Sequence, residues 1–136
     1  MKRVFAAFAD PVARASWSAP SDGAAFFYDA ADFREGGEDH FRCGSRENPQ
    51  YTGRTTYVSI VADRRVVSSE LVEAGGQKLM ASLITTELQA EGDATMVKMT
   101  VQVTSFVGDQ MIVGTEIGTN AALDNLVRQM LSPAGL

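Results

Sequence analysis

The sequence predicts an α+β fold in which a curved antiparallel sheet is closed by one long C-terminal helix. Three observations lead there. Two short helical pieces come first, a succession of strand-like segments joined by short turns follows, and the last third ends in apolar residues at helical spacing. An antiparallel sheet with one apolar face must be covered, and the final helix is the cover this chain supplies.

The first stretch reads MKRVFAAFADPVARASW. An export signal needs roughly 7–15 uninterrupted apolar residues, and this run stops at Asp10 and Pro11. Val4, Phe5, Phe8 and Val12 instead recur at helical spacing, and Asp10 with Pro11 forms an N-cap and first-turn pair. Two helices joined at Asp10 and ending near Trp17 are expected. SAPSDGAA then separates them from the strands.

Residues 26–34 form the first expected strand, with a reversal at Gly36-Gly37 and DHFRCG as its partner. Residues 51–62 and 66–73 follow, divided by Asp63-Arg64, and Gly75-Gly76 turns the chain again. Residues 78–89 and 94–106 are two longer strands about Gly92. The last alternates most clearly, with Val97, Met99, Val101 and Val103 on one face and Lys98, Thr100, Gln102 and Thr104 on the other. Six strands joined by short turns imply a meander. From Glu116 the period becomes helical, and Leu123, Leu126, Val127, Met130 and Leu131 mark a stripe that ends before Pro133.

A chain of 136 residues, 45% of them hydrophobic, suits one domain over residues 1–136. Its net charge of -5 and lack of a basic cluster argue against nucleic acid. No stretch reaches the roughly 18 apolar residues of a membrane span. Cys43, the only cysteine, excludes an internal disulfide and fits a reducing compartment, so a cytoplasmic location is expected.

Four strings in order, VFAAFADPVARASW, DFREGG, IVADRRVV and GTNAALDNL, resemble the SRPBCC superfamily, whose helix-grip fold also contains START lipid-binding and birch-pollen-allergen-like domains. Within it the chain is similar to the bacterial branch named for homologues of the heat-shock-chaperone ATPase activator. The resemblance runs from Val4 to Leu131. It implies a ligand cavity between the sheet and the last helix. It also implies a strand before the first helix, and only Met1, Lys2 and Arg3 stand there, so the usual first strand is expected to be missing or to lie upstream of a misplaced start codon.

Most candidate chemistry has a plainer explanation. Gly36-Gly37 sits between strands, where a phosphate cradle would need a helix N-terminus. His40, the only histidine, has no further ligands at metal spacing, and no metal or cofactor is expected. Cys43 has no neighbouring base, and Asp32 and Arg34 suit a surface ion pair. Glu70 in SSELV is the best acid candidate, because an inward Glu70 would have its pKa raised by burial, and Tyr57 is the alternative.

Gly114, Gly118, Ala121 and Ala122 leave one flank of the last helix nearly bare, beside the Leu123, Leu126 and Met130 stripe. With the implied cavity this gives a candidate lining of Trp17, Phe27, Tyr57, Met80, Met99, Val101, Asn120 and Leu123, and Met96 and Met111 add flexible apolar surface. The reading favoured by the sequence is a module that binds a small, largely apolar molecule. Its alternatives are a polyketide-cyclase or hydrolase-like enzyme using an acid in the same cavity, and a chaperone-interacting protein. The absent first strand would leave the strand from Ala94 to Phe106 unpaired along one side, and a homodimer through that edge is the expected remedy.

Overall fold

A computed structural model of the chain describes residues 2–19 and 24–131. The two N-terminal helices are α1 (Lys2–Ala9) and α2 (Pro11–Ser18). The Asp10 carboxylate accepts the Val12 N–H at 3.0 Å, and Pro11 opens α2 where a backbone N–H has no helical partner. Trp17 closes the corner, donating its Nε1–H to the Ala7 carbonyl at 2.9 Å and meeting Phe8 edge to face.

Six strands follow, β1 (Ala24–Ala30), β2 (Glu38–Ser45), β3 (Tyr51–Val61), β4 (Arg65–Ala74), β5 (Gln77–Glu91) and β6 (Ala94–Ser105). Each pairs antiparallel with the next, so the sheet is the expected curved meander. β1 is shorter than the sequence suggested, because DFREGG forms a loop of its own. Its Gly37 passes so close to the preceding backbone that an added Cβ would lie 2.2 Å from the Asp32 carbonyl oxygen. Asp32 and Arg34 therefore leave the sheet and pair with each other at 2.8 Å in the exposed loop. That loop is stitched to β3 by Gly36 N–H donating to the Tyr57 carbonyl and Tyr57 N–H donating to the Gly37 carbonyl, at 2.8 and 3.0 Å.

One close approach in the sheet depends on a missing side chain. Phe41 on β2 faces Gly53 on β3, and an added Cβ there would stand 2.0 Å from the ring. Gly53→Ala is expected to lower stability by about 1–3 kcal/mol through overpacking. Urea denaturation checks this, and a Phe41→Leu background should relieve part of the loss.

The long helix, α3 (Gln110–Leu131), starts earlier than the sequence stripe from Glu116 suggested. The Asp109 carbonyl accepts the N–H groups of Ile112 and Val113, and the first turns continue through Gly114 and Gly118 despite their low helix propensity. Side-chain amide hydrogens of Asn125 on α3 reach the carbonyls of Trp17 and Ala19 at 3.2 and 2.8 Å, which fixes α3 to the end of α2. The apolar core forms two clusters. One, around Phe8, Trp17, Leu88 and Leu126, holds the helices to β5; the other, around Phe41, Val72 and Met80, lies on the sheet. Among the described residues β6 hydrogen-bonds only to β5, with Val97, Met99, Val101 and Val103 half-buried inward. No described helix is long and apolar enough to cross a membrane.

Candidate functional site

Between the sheet and α3 lies a cavity of about 920 Å³. Period-2 alternation decides which residues reach it. On β4 the inward set is Val66, Ser68, Glu70 and Val72, and registers with β3 and β5 place Thr55 and Ser82 on either side of Glu70. Asp39 faces Thr55 from β2. A polar row, Asp39, Thr55, Glu70 and Ser82, thus crosses four strands on a floor that also carries Phe26, Phe41, Val72, Met80, Ile84 and Val101, with the small hydroxyls of Ser68 and Thr86 beside them.

The two acids of this row have different surroundings. Asp39, 1% exposed, is fully engaged: Oδ2 accepts Arg14 Nη2 at 2.8 Å and the Tyr57 hydroxyl at 2.5 Å, and Oδ1 accepts the Asp32 N–H at 2.9 Å. Arg14 also donates through Nε to the Tyr28 hydroxyl at 2.7 Å and through Nη1 to the Phe8 carbonyl, with its guanidinium 4.7 Å from the Tyr28 ring centre. This network docks α2 on the sheet. Burial raises the Tyr28 phenol to about 12 against the opposing pull of Arg14, and burial likewise pushes Tyr57 up, so neither phenol ionises near neutrality.

Glu70 has no such partners. Among the described residues no group donates to its carboxylate or pairs with it, and burial, with a smaller contribution from the Asp39 charge, pushes its pKa up to about 7. The carboxyl therefore changes charge near neutral pH. Across from it, Ser82 is buried and its Oγ makes no hydrogen bond among the described residues. Cys43 also lines the cavity, and burial together with Glu70 raises its thiol to about 11. Alkylation of Cys43 by iodoacetamide at about pH 8 should be at least about tenfold slower than in the unfolded chain, since the thiolate is the reactive form. Equal rates would mean that the thiol is reached by bulk solvent.

α3 roofs the cavity with its barest face. Gly114, Gly118 and Ala122 line it, and an added Cβ at either glycine would meet nothing within 4 Å. Two helix-interior glycines forgo about 1 kcal/mol each relative to alanine. They leave open the volume that side chains would otherwise fill.

Residues 1–130 match the family described as Activator of Hsp90 ATPase homolog 1-like protein. The chain belongs to that family. Among solved structures it resembles protein Mll3558 from Rhizobium loti, with 37% identity, a TM-score of 0.79, and coverage of 92% of this chain and 85% of the other. A protein from Rhizobium leguminosarum shares 27% identity at a TM-score of 0.73, covering 93% and 86% of the two chains. Protein CV1439 from Chromobacterium violaceum shares the fold at a TM-score of 0.84 with 19% identity, covering 97% and 90%. Among curated proteins none matches the sequence.

In this member of the Activator of Hsp90 ATPase homolog 1-like family, Trp17, Tyr57, Met80, Met99, Val101 and Leu123 from the expected lining border the cavity, as does Glu70. Phe27 does not. It points to the opposite face of β1, 42% exposed, beneath the Arg42 guanidinium, and Phe26 takes the inward place, stacked on Phe41 at 4.8 Å. Asn120 is exposed on the outer side of α3, and its neighbour Thr119 borders the cavity instead. Met111 lines the cavity, whereas Met96 is half-exposed on the outer face of β6. His40 is exposed beside Glu38 at 3.3 Å. Arg14, Asp39, Tyr28 and Ser82 escaped the sequence reading. Two of them carried a usable signal: Asp39 shares strand parity with Phe41, and Arg14 lies three residues before Trp17 on the same helix face.

Proposed function

We propose that residues 1–136 act as one domain that binds a small, largely apolar molecule in the cavity between the sheet and α3. The observation that carries this reading is a roof left bare at Gly114 and Gly118 over a mostly apolar space large enough for a ligand of drug or lipid-fragment size. A native mass spectrum of protein purified without denaturation from its own host tests it. An added mass released by organic solvent is the expected result, and bare protein that also fails to take up any apolar probe contradicts it. A cytoplasmic location belongs to the same reading.

A second reading, a polyketide-cyclase or hydrolase-like enzyme, draws support from Glu70, an unpartnered cavity acid whose pKa lies near neutrality. Tyr57 is the weaker candidate because its hydroxyl is engaged by Asp39. Chemical change of the extracted molecule by the wild type and not by Glu70→Gln would establish it; recovery unchanged from both would remove it. The family name alone suggests a chaperone partner, and a pull-down against the host's chaperones tests that.

The edge of β6 supports a further part of the proposal, a homodimer in which two copies of the strand from Ala94 to Phe106 pair antiparallel about a two-fold axis. Lys98 opposes it weakly as an edge charge. Light scattering after size exclusion should give twice the chain mass. A monomer with rapidly exchanging amides from Val97 to Val103 rules the dimer out.

A further inference from the structure

The cavity has one feature that an apolar container does not need. Its polar row includes a carboxyl, Glu70, and a buried hydroxyl, Ser82 Oγ, that find no hydrogen-bond or ion-pair partner among the described residues and face each other across β4 and β5. Buried polar groups are ordinarily hydrogen-bonded, so the unsatisfied Ser82 hydroxyl, next to a half-buried carboxyl that opens onto the cavity, marks a place where a ligand supplies the partner.

The charge around them restricts what that partner is. Among the described residues the titratable groups that border the cavity are Arg14 from α2, Tyr28 from β1, Asp39 and Cys43 from β2, Tyr51 and Tyr57 from β3, and Glu70 itself. β5, β6 and α3 contribute none among the described residues. Among the described residues Arg14 is the one cation that borders the cavity, and its guanidinium is held by Asp39, Tyr28 and the Phe8 carbonyl. An arriving carboxylate would meet two acids and no free positive charge. An ammonium group would meet an uncompensated carboxylate in a low-dielectric space, where a charge-assisted hydrogen bond is strongest.

We propose that Glu70 and Ser82 form a polar subsite that selects an apolar ligand bearing a basic nitrogen, with the ammonium on the Glu70 carboxylate and Ser82 as its second hydrogen-bond partner. This rests on the reading of the cavity as a ligand site. Because Glu70 titrates at about 7, a cationic ligand binds the form that accumulates as pH rises through neutrality.

Calorimetric titration of the full chain with three probes of equal chain length, decylamine, 1-decanol and decanoate, tests the proposal. Decylamine should bind about tenfold more tightly at about pH 8 than at about pH 6, following the ionised fraction of Glu70, and about tenfold more tightly than 1-decanol at the higher pH. Decanoate should be the weakest. In Glu70→Gln, which keeps the side-chain shape, decylamine should lose both its preference over 1-decanol and its pH dependence, with circular dichroism reporting the fold. Decanoate or 1-decanol binding as tightly as decylamine at about pH 8, or an amine preference that survives Glu70→Gln, overturns the subsite and leaves the cavity reading standing. Failure of all three probes to bind overturns the cavity reading and the subsite together.

Discussion

Asp39→Ala is expected to lower the unfolding free energy by about 3–5 kcal/mol, the range for removing one partner of a buried ion pair. Three groups lose their acceptor at once: the Arg14 guanidinium, the Tyr57 hydroxyl and the Asp32 N–H. The largest part of the loss comes from Arg14, which stays charged, buried and without a counter-ion. Asp39→Asn should cost less, because an amide oxygen still accepts one or two of these bonds. The pair itself need not be strongly stabilising, since desolvation offsets much of the attraction. Arg14→Met combined with Asp39→Leu should therefore be clearly more stable than Asp39→Ala alone. Urea titrations of the four proteins measure this. A loss below about 1 kcal/mol for Asp39→Ala would mean that the network is open to water.

The second large effect is a pH dependence with an unusual sign for a carboxylate. The pKa of Glu70 rises from 4.5 in its ordinary setting to about 7 in the folded protein. Between those values the unfolded chain is ionised at this position and the folded chain holds a proton, so stability contributed by Glu70 falls as pH rises. The contribution is fully present below about pH 4.5 and gone above about pH 7. At about 1.4 kcal/mol for each tenfold change in proton affinity, the decline is on the order of 3 kcal/mol. Glu70→Gln should flatten this segment of the stability profile and raise stability at about pH 8 by a similar amount. A wild-type profile that is flat or rising from pH 5 to 7 after subtraction of the Glu70→Gln profile would show that the carboxyl is well solvated in the folded protein.

Much of the architecture is written in the sequence because turn chemistry and periodicity are local. Asp10-Pro11, Gly75-Gly76 and Gly92 each mark a boundary that the chain observes, and β6 has one apolar and one polar face, so its parity is legible without neighbours. Parity fails where both faces carry apolar residues. AAFFYDA has adjacent aromatics, and only the Phe26–Cys43 register decides that Phe26 rather than Phe27 turns inward. β4 is similar, with Val66 and Val72 on one side and Val67 and Leu71 on the other, so the direction of Glu70 depends on pairing with Thr55 and Ser82. The Arg14–Asp39 pair spans two elements brought together by tertiary structure, and no local pattern announces it. The helix start at Gln110 was hidden for a different reason: the glycines that break the propensity signal are the ones that roof the cavity.

Filling that roof tests the central claim, that the space between sheet and α3 encloses an apolar ligand. Gly118→Leu puts an isobutyl group where an added Cβ meets nothing, and it replaces a poor helix former with a good one. Trp17 borders the cavity and is the only tryptophan, so its emission reports occupancy directly. On titration with decylamine, the wild type should show a saturable change in Trp17 emission, and Gly118→Leu should bind at least about tenfold more weakly while melting at the same or a higher temperature. Undiminished binding by a folded Gly118→Leu, or binding that leaves Trp17 emission unmoved, would contradict it.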